Sequence, residues 1–207
     1  PADAVRARFE SVLDLGIWSY STLVADVTTP FEPVISDPES VALEWVAVDE
    51  VDSLPLHPGF AGSWPALREA LTARPAIVVD VANVMGSVPD GWWKDRAGAA
   101  TRLVTKVSRL TERGVDAEAL GLSATRWFPS VTAVLEGQAR SAQPVAPAIE
   151  VRHAPGEGDD EIVAVVREVA GAFRPVVVVT SDRELAARVE ELGASVHGAH
   201  WLLDQLN

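Results

Sequence analysis

Three short β-branched runs, each closing on an acid, set the strongest limit on how this chain can fold. Ala76 to Asp80 reads AIVVD, Val131 to Glu136 reads VTAVLE, and Val176 to Asp182 reads VVVVTSD. Continuous apolar runs of this length, bounded by turn signals, fit strands buried on both faces of a parallel sheet. In such a sheet the carboxyl ends share one edge, the following helices start there, and open α/β folds place their ligands there. Asp80, Glu136 and Asp182 are therefore expected on one edge, joined by Asp159 and Asp160 at the start of a helix. Each acid also has a purely structural reading. Asp80 can cap a turn or a following helix. Ser181-x-x-Glu184 can form a capping box around Asp182. Asp159 or Asp160 can cap its helix, and Glu136 can be a loop charge. Recurrence at equivalent places favours a shared site.

Between and after these runs the chain alternates helical and extended patterns. Helices are expected over Asp95–Glu112, Asp159–Phe173, Arg183–Leu192 and His200–Leu206, with a short one near Ala117–Leu120. Further strands are expected at Ile149–Val151 and Ala194–His197. This alternation predicts an α/β domain over residues 75–207 with a mainly parallel central sheet flanked by helices. Like charges a few ångströms apart cannot all stay ionised without a compensating cation. Oxygen donors in a chain with no cysteine point to Mg²⁺ or Mn²⁺ as cofactor. Such a site activates water and stabilises in-line displacement at phosphorus.

The first 74 residues read differently. Strands are expected at Glu10–Leu15, Ser19–Val27 and Val41–Val48, the first two separated by Gly16 and the last two by a Pro-rich loop over Thr28–Pro38. Phe60, Trp64, Leu67 and Leu71 recur at helical spacing, so a helix is expected over Phe60–Thr72, ended by Arg74-Pro75. This is a β-rich piece closed by a helix, too one-sided to be a complete domain. The chain begins with Pro1 rather than Met and is expected to be truncated or processed.

Charge narrows the partners. The net charge of −13 argues against a general polyanion binder. On the helix after Asp95, however, Arg102, Lys106, Arg109 and Arg113 fall at steps of four, three and four, which lines them on one face. That stripe either tracks a phosphate backbone or is a solvated face balancing an acidic protein. Trp92 and Trp93, beside Lys94, either stack on bases or dock into a hydrophobic groove. Arg140 follows the second acid-ended strand and joins the candidate nucleic-acid contacts. His57, His153, His197 and His200 read as structural or exposed. No apolar run approaches the ~20 residues that cross a bilayer, so no membrane partner is expected and the cytoplasm is the default location.

Two resemblances follow from these residues. VVDVANV, GDDEIV and VVVVTSDREL, in that order, make residues 75–207 resemble the NYN branch of the PIN-like nuclease superfamily, close to its YacP-like members. The resemblance implies a metal-dependent ribonuclease acting on single-stranded or structured RNA. By the family pattern Asp80, Asp159 and Asp182 are the core metal ligands, Asn83 orients the site, and Asp160 and Glu136 support it. Val81 stands where the family usually has Gly, Gly158 where it often has Ala, and Glu136 where Asp is frequent. Separately, EWVAVDEV followed by LPLHPGF makes residues 1–73 similar to the C-terminal half of a Nudix hydrolase domain. The metal-binding Nudix box is absent from this sequence, so no catalytic residue is carried over. A phosphatase of the haloacid-dehalogenase type needs a second Asp two residues after the first, and Ala82 stands there. Three functions remain in view: a metal-dependent ribonuclease, the C-terminal part of a Nudix pyrophosphohydrolase, and a non-catalytic RNA-binding module. Homodimerisation is left open.

Overall fold

The run AIVVD forms a strand whose five residues are all buried, and the second half of the chain is built around it. The computed structural model describes residues 2–89, 91–142, 148–171 and 174–206. These divide into two compact units: one of residues up to Thr72 with Ser123–Thr125, the other of Ala73–Leu122 and the residues from Arg126 on.

The first unit contains an antiparallel hairpin of β1 (Val5–Asp14) and β2 (Ser19–Val27), with a register irregularity between Ala7 and Phe9. Gly16 turns the hairpin at φ 81°, a left-handed value that favours glycine. One helix, α1 (Pro58–Ala70), buries Trp64, Leu67 and Ala70. His57 caps it, its Nδ1 accepting from the Gly59 amide at 3.2 Å. The alternation in Val41 to Val48 predicts a strand, but this segment has no regular structure. A period-2 pattern makes a strand only where a neighbour completes the ladder.

The second unit begins with β3 (Ala76–Asp80), followed directly by α2 (Val81–Gly86). The helix expected over Asp95–Glu112 is two pieces, α3 (Arg96–Ser108) and α4 (Leu110–Arg113). Two-residue strands β4 (Val115–Asp116) and β5 (Arg126–Trp127) pair antiparallel, with a 3-10 turn over Ala117–Leu120 between them. Then come β6 (Ser130–Leu135), β7 (Glu150–His153), α5 (Gly158–Val169), β8 (Val176–Val179), α6 (Arg183–Glu190), β9 (Ser195–His197) and α7 (Ala199–Gln205). The end expected for α5, at Phe173, lies outside the described residues.

Five strands form one parallel sheet in the order β7-β6-β3-β8-β9. Taken from β3, the chain builds outward on one side through β6 and β7, then returns to build the other side through β8 and β9. The order reverses at β3, which makes its carboxyl end a topological switch point. Alternation sends Val78 to one face, against Ile162, Val166, Leu185 and Val189 of α5 and α6. Ile77 and Val79, both fully buried, point to the other face, where α3 packs on β6 and α7 on β8. Both faces of the sheet are covered, which is why its strands read as unbroken apolar runs. No described helix is long and apolar enough to cross a membrane.

A carboxylate-lined edge as the candidate active site

Asp80 sits at the switch point. Register aligns Asp80 with Val134 of β6 and Val79 with Val179 of β8, so Thr180 falls beside Asp80. The Thr180 hydroxyl donates to Asp80 Oδ2 at 2.9 Å and accepts from the Asp182 amide at 3.1 Å. Asp80 Oδ1 accepts from the Asn83 amide at 3.0 Å, capping α2. The Asn83 side chain reaches across in turn, its Oδ1 accepting from the Ser181 amide at 2.8 Å. Two loops from adjacent strands are thereby locked around one buried carboxylate.

The other acids arrive from three directions. Asp182 is the N-cap of α6, its Oδ1 accepting from the amides of Glu184 and Leu185 at 2.8 and 3.0 Å. The cap is thus Asp182 rather than Ser181, whose hydroxyl accepts from the Ala199 amide at 3.4 Å. Glu136, just past β6, accepts from the Gly158 amide at 2.8 Å and so ties the start of α5 to the sheet. Gly158 permits this approach, because a Cβ there would lie 2.7 Å from Glu136 Oε2. Asp159 follows in the first turn of α5.

The electrostatics register how these groups crowd. Burial pushes the Asp80 carboxyl above its ordinary value, the hydrogen bonds from Asn83 and Thr180 oppose this, and the charges of Asp159 and Glu136 add to the rise. Asp159 is raised by burial first and then by Asp182, with Arg188 pulling the other way and Glu136 and Glu157 pushing up. Asp160 stands apart: it is exposed and forms an ion pair with Arg188 Nη2 at 2.6 Å.

Among the described residues no three His, Asp or Glu side chains are arranged as a ready-made metal cage. The donor set nevertheless fits Mg²⁺ or Mn²⁺ held in the commoner way, through one or two carboxylates with water filling the other positions. These are hard oxygen donors, with Asp80 and Asp159 both raised by burial first and by neighbouring acids second.

The remaining candidates separate. Arg102 and Lys106 on α3, and Arg109 just past its end, are exposed, with no ion pair among the described residues. Arg140 ties two loops together, donating to the carbonyl of Gly137 after β6 and to those of Ala154 and Pro155 after β7 at 3.1–3.3 Å. Trp92 is partly buried, with the Arg96 guanidinium over its ring at 5.3 Å, while Trp93 and Lys94 are exposed. His153 Nδ1 is hydrogen-bonding distance, 3.0 Å, from the Arg140 carbonyl, and His197 stacks on Trp201 with ring centroids 4.5 Å apart. Thr180 is a residue that sequence spacing did not single out. Its signal is position, one residue beyond the β8 run and in register with Asp80.

Crystal structures of Rae1 (YacP) from Bacillus subtilis and of a point variant of it superpose with TM-scores of 0.50. Sequence identity is 18% and 17%, over 63–64% of this chain and 72–74% of theirs. The second unit has a PIN-like fold. No family model matches the sequence. A protein of Mycobacterium tuberculosis named "Putative 8-oxo-dGTP diphosphatase 3" is 50% identical over 58 residues, in each of two strains. The chain spans about a quarter (26%) of that relative's length, and the match covers 28% of this chain.

Proposed function

We propose that the carboxyl edge of the sheet is the active site of a metal-dependent ribonuclease. The observation that carries this reading is Asp80: a buried carboxylate at the switch point, held by Asn83 and Thr180 and pressed by neighbouring acids. One or two of Asp80, Asp159 and Asp182 would hold the cation directly, with water in its other positions and Glu136 supporting from just past β6. A bound Mg²⁺ or Mn²⁺ supplies a water of lowered pKa and neutralises charge developing on the phosphate. The protein's own part is positioning. Thr180 fixes Oδ2 of Asp80 and links it to the Asp182 backbone. Asn83 braces the two loops, so neither acid relaxes away from its neighbours. Lys106 and the arginines of α3 offer the phosphate backbone a cationic track outside the acidic edge.

The test is cleavage of single-stranded and structured RNA with Mn²⁺, comparing the wild type with Asp80→Asn and Asp182→Asn. The proposal expects cleavage only in the wild type and only with metal. Activity that survives both substitutions, or survives EDTA, rejects it.

A second reading is favoured by the 50% identity to the diphosphatase over 58 residues. On that reading residues 1–73 are part of a Nudix-type pyrophosphohydrolase. Hydrolysis of 8-oxo-dGTP by the full gene product, unaffected by Asp80→Asn, would support it. No hydrolysis by the full product would exclude it.

A further inference from the structure

The acidic edge does not explain a cavity of about 160 Å³ on the α2–α3–α7 side of the second unit. Met85, Val88, Leu103 and Leu203 contribute apolar lining. Trp92 forms an aromatic wall, steadied by Arg96 over its ring at 5.3 Å and by Trp93 edge-on at 6.2 Å. Gly91, at φ 83°, makes the left-handed turn that delivers Trp92 to this place. Arg102 and Lys106, one helical turn apart on α3, complete the lining. Neither has an ion pair among the described residues, in a chain whose net charge is −13.

We infer that this cavity receives one unpaired base of an RNA strand, with Arg102 and Lys106 on its adjoining phosphates. The inference rests on the ribonuclease reading and adds a base subsite to it. Size, chemistry and position all bear on it. The volume suits one planar ring system and is below the roughly 300 Å³ at which drug-sized ligand sites begin. An apolar slot with one indole wall binds a ring face without demanding a particular hydrogen-bond pattern, so it takes any base. Cations without an ion pair among the described residues, set beside an apolar slot, match a ligand that is aromatic and anionic at once. An apolar peptide side chain would leave both cations unanswered. Met85 lies on α2, the helix that Asp80 caps, about 6–8 Å along its axis from that carboxylate. A base seated here would hold its strand across the acidic edge.

The experiment is fluorescence anisotropy of a labelled single-stranded RNA in EDTA, where metal-dependent cleavage is off and binding is read alone. Two comparisons are made: the wild type on intact against abasic RNA of equal length, and wild type against Val88→Trp on intact RNA. Val88→Trp fills the slot from a partly exposed position. The inference expects on the order of tenfold weaker binding in each comparison. Arg102→Ala and Lys106→Ala should each lower the salt slope by about 0.7. Equal binding of intact and abasic RNA by the wild type overturns the inference, whatever the variants do. So does wild-type affinity in a folded Val88→Trp protein, or no RNA binding at all. Base-dependent binding without cleavage in Mn²⁺ would reject only the nuclease reading. Cleavage with base-independent binding would reject only the subsite.

Discussion

The two units spend similar apolar sequence in opposite ways. In the second, Ile77, Val78, Val79, Val178 and Leu185 are fully buried between the sheet and its helices. In the first, the exposed large apolar residues include Ile17 and Val41 at 94%, Val34 at 79% and Trp45 at 64%. Of the large apolar residues exposed among the described ones, only Trp93 lies outside the first unit. The contrast is one of layers rather than composition. A parallel sheet with helices on both faces closes its own core. A hairpin with one helix provides too little surface to cover its own apolar side chains. Any function requiring a rigid constellation is therefore better supported by the second unit.

The sharpest way to break this comparison is native-state hydrogen exchange on the full chain. Amides of β3, β6 and β8 should open only with global unfolding, while residues 28–57 exchange orders of magnitude faster. Equal protection would erase the distinction. Next in size are truncations read by urea denaturation. Ile77→Ala and Leu185→Ala should each cost about 2–5 kcal/mol, whereas Ile17→Ala and Val41→Ala should change stability by less than about 0.5 kcal/mol.

A smaller and opposite effect is expected at the acidic edge. Asp80 and Asp159 are held above the ordinary value of 3.8. The folded protein then binds more protons than the unfolded chain between that value and the raised folded ones. Stability therefore falls as pH rises through this window, and the penalty is fully present at neutral pH. Asp80→Asn removes charge but keeps an oxygen for the Asn83 amide. Its Tm at pH 7 should rise by about 2–4 °C, the shift that ~1 kcal/mol produces at this size, and the rise should vanish at acid pH. A lower Tm at both pH values would contradict the burial of a repelled charge. Smallest of all, Gly158→Ala should displace the Glu136 carboxylate and destabilise by less than about 1 kcal/mol in thermal melts, since a flexible side chain can move.

How much of this was readable from residues alone follows the same division. AIVVD and VVVV are legible because a strand covered on both faces has no polar positions to blur the pattern. Val41 to Val48 shows alternation as good as many strands, but alternation reports a pattern and not a partner. Parallel-sheet geometry predicts that the strand ends carrying Asp80 and Asp182 share one edge, and the hydrogen bonds of Thr180 and Asn83 tie those two ends together. What spacing could not supply is register. Thr180 meets Asp80 across 100 residues, and only the pairing of β3 with β8 puts them side by side. Likewise Asp160 and Asp159 are neighbours in sequence, yet helical rotation gives one to Arg188 and leaves the other among the acids. Arg140 is expected among the nucleic-acid contacts, and sequence alone does not show that its guanidinium donates to carbonyls on two loops.

The contrast between Asp80 and Asp160 gives the most direct test of the central claim. RNA cleavage in Mn²⁺ should fall by about a hundredfold or more in Asp80→Asn. Asp160→Asn, whose carboxylate answers the partly exposed Arg188, should stay within a few-fold of wild type. Loss of activity in Asp160→Asn with Asp80→Asn unimpaired would contradict the site described above.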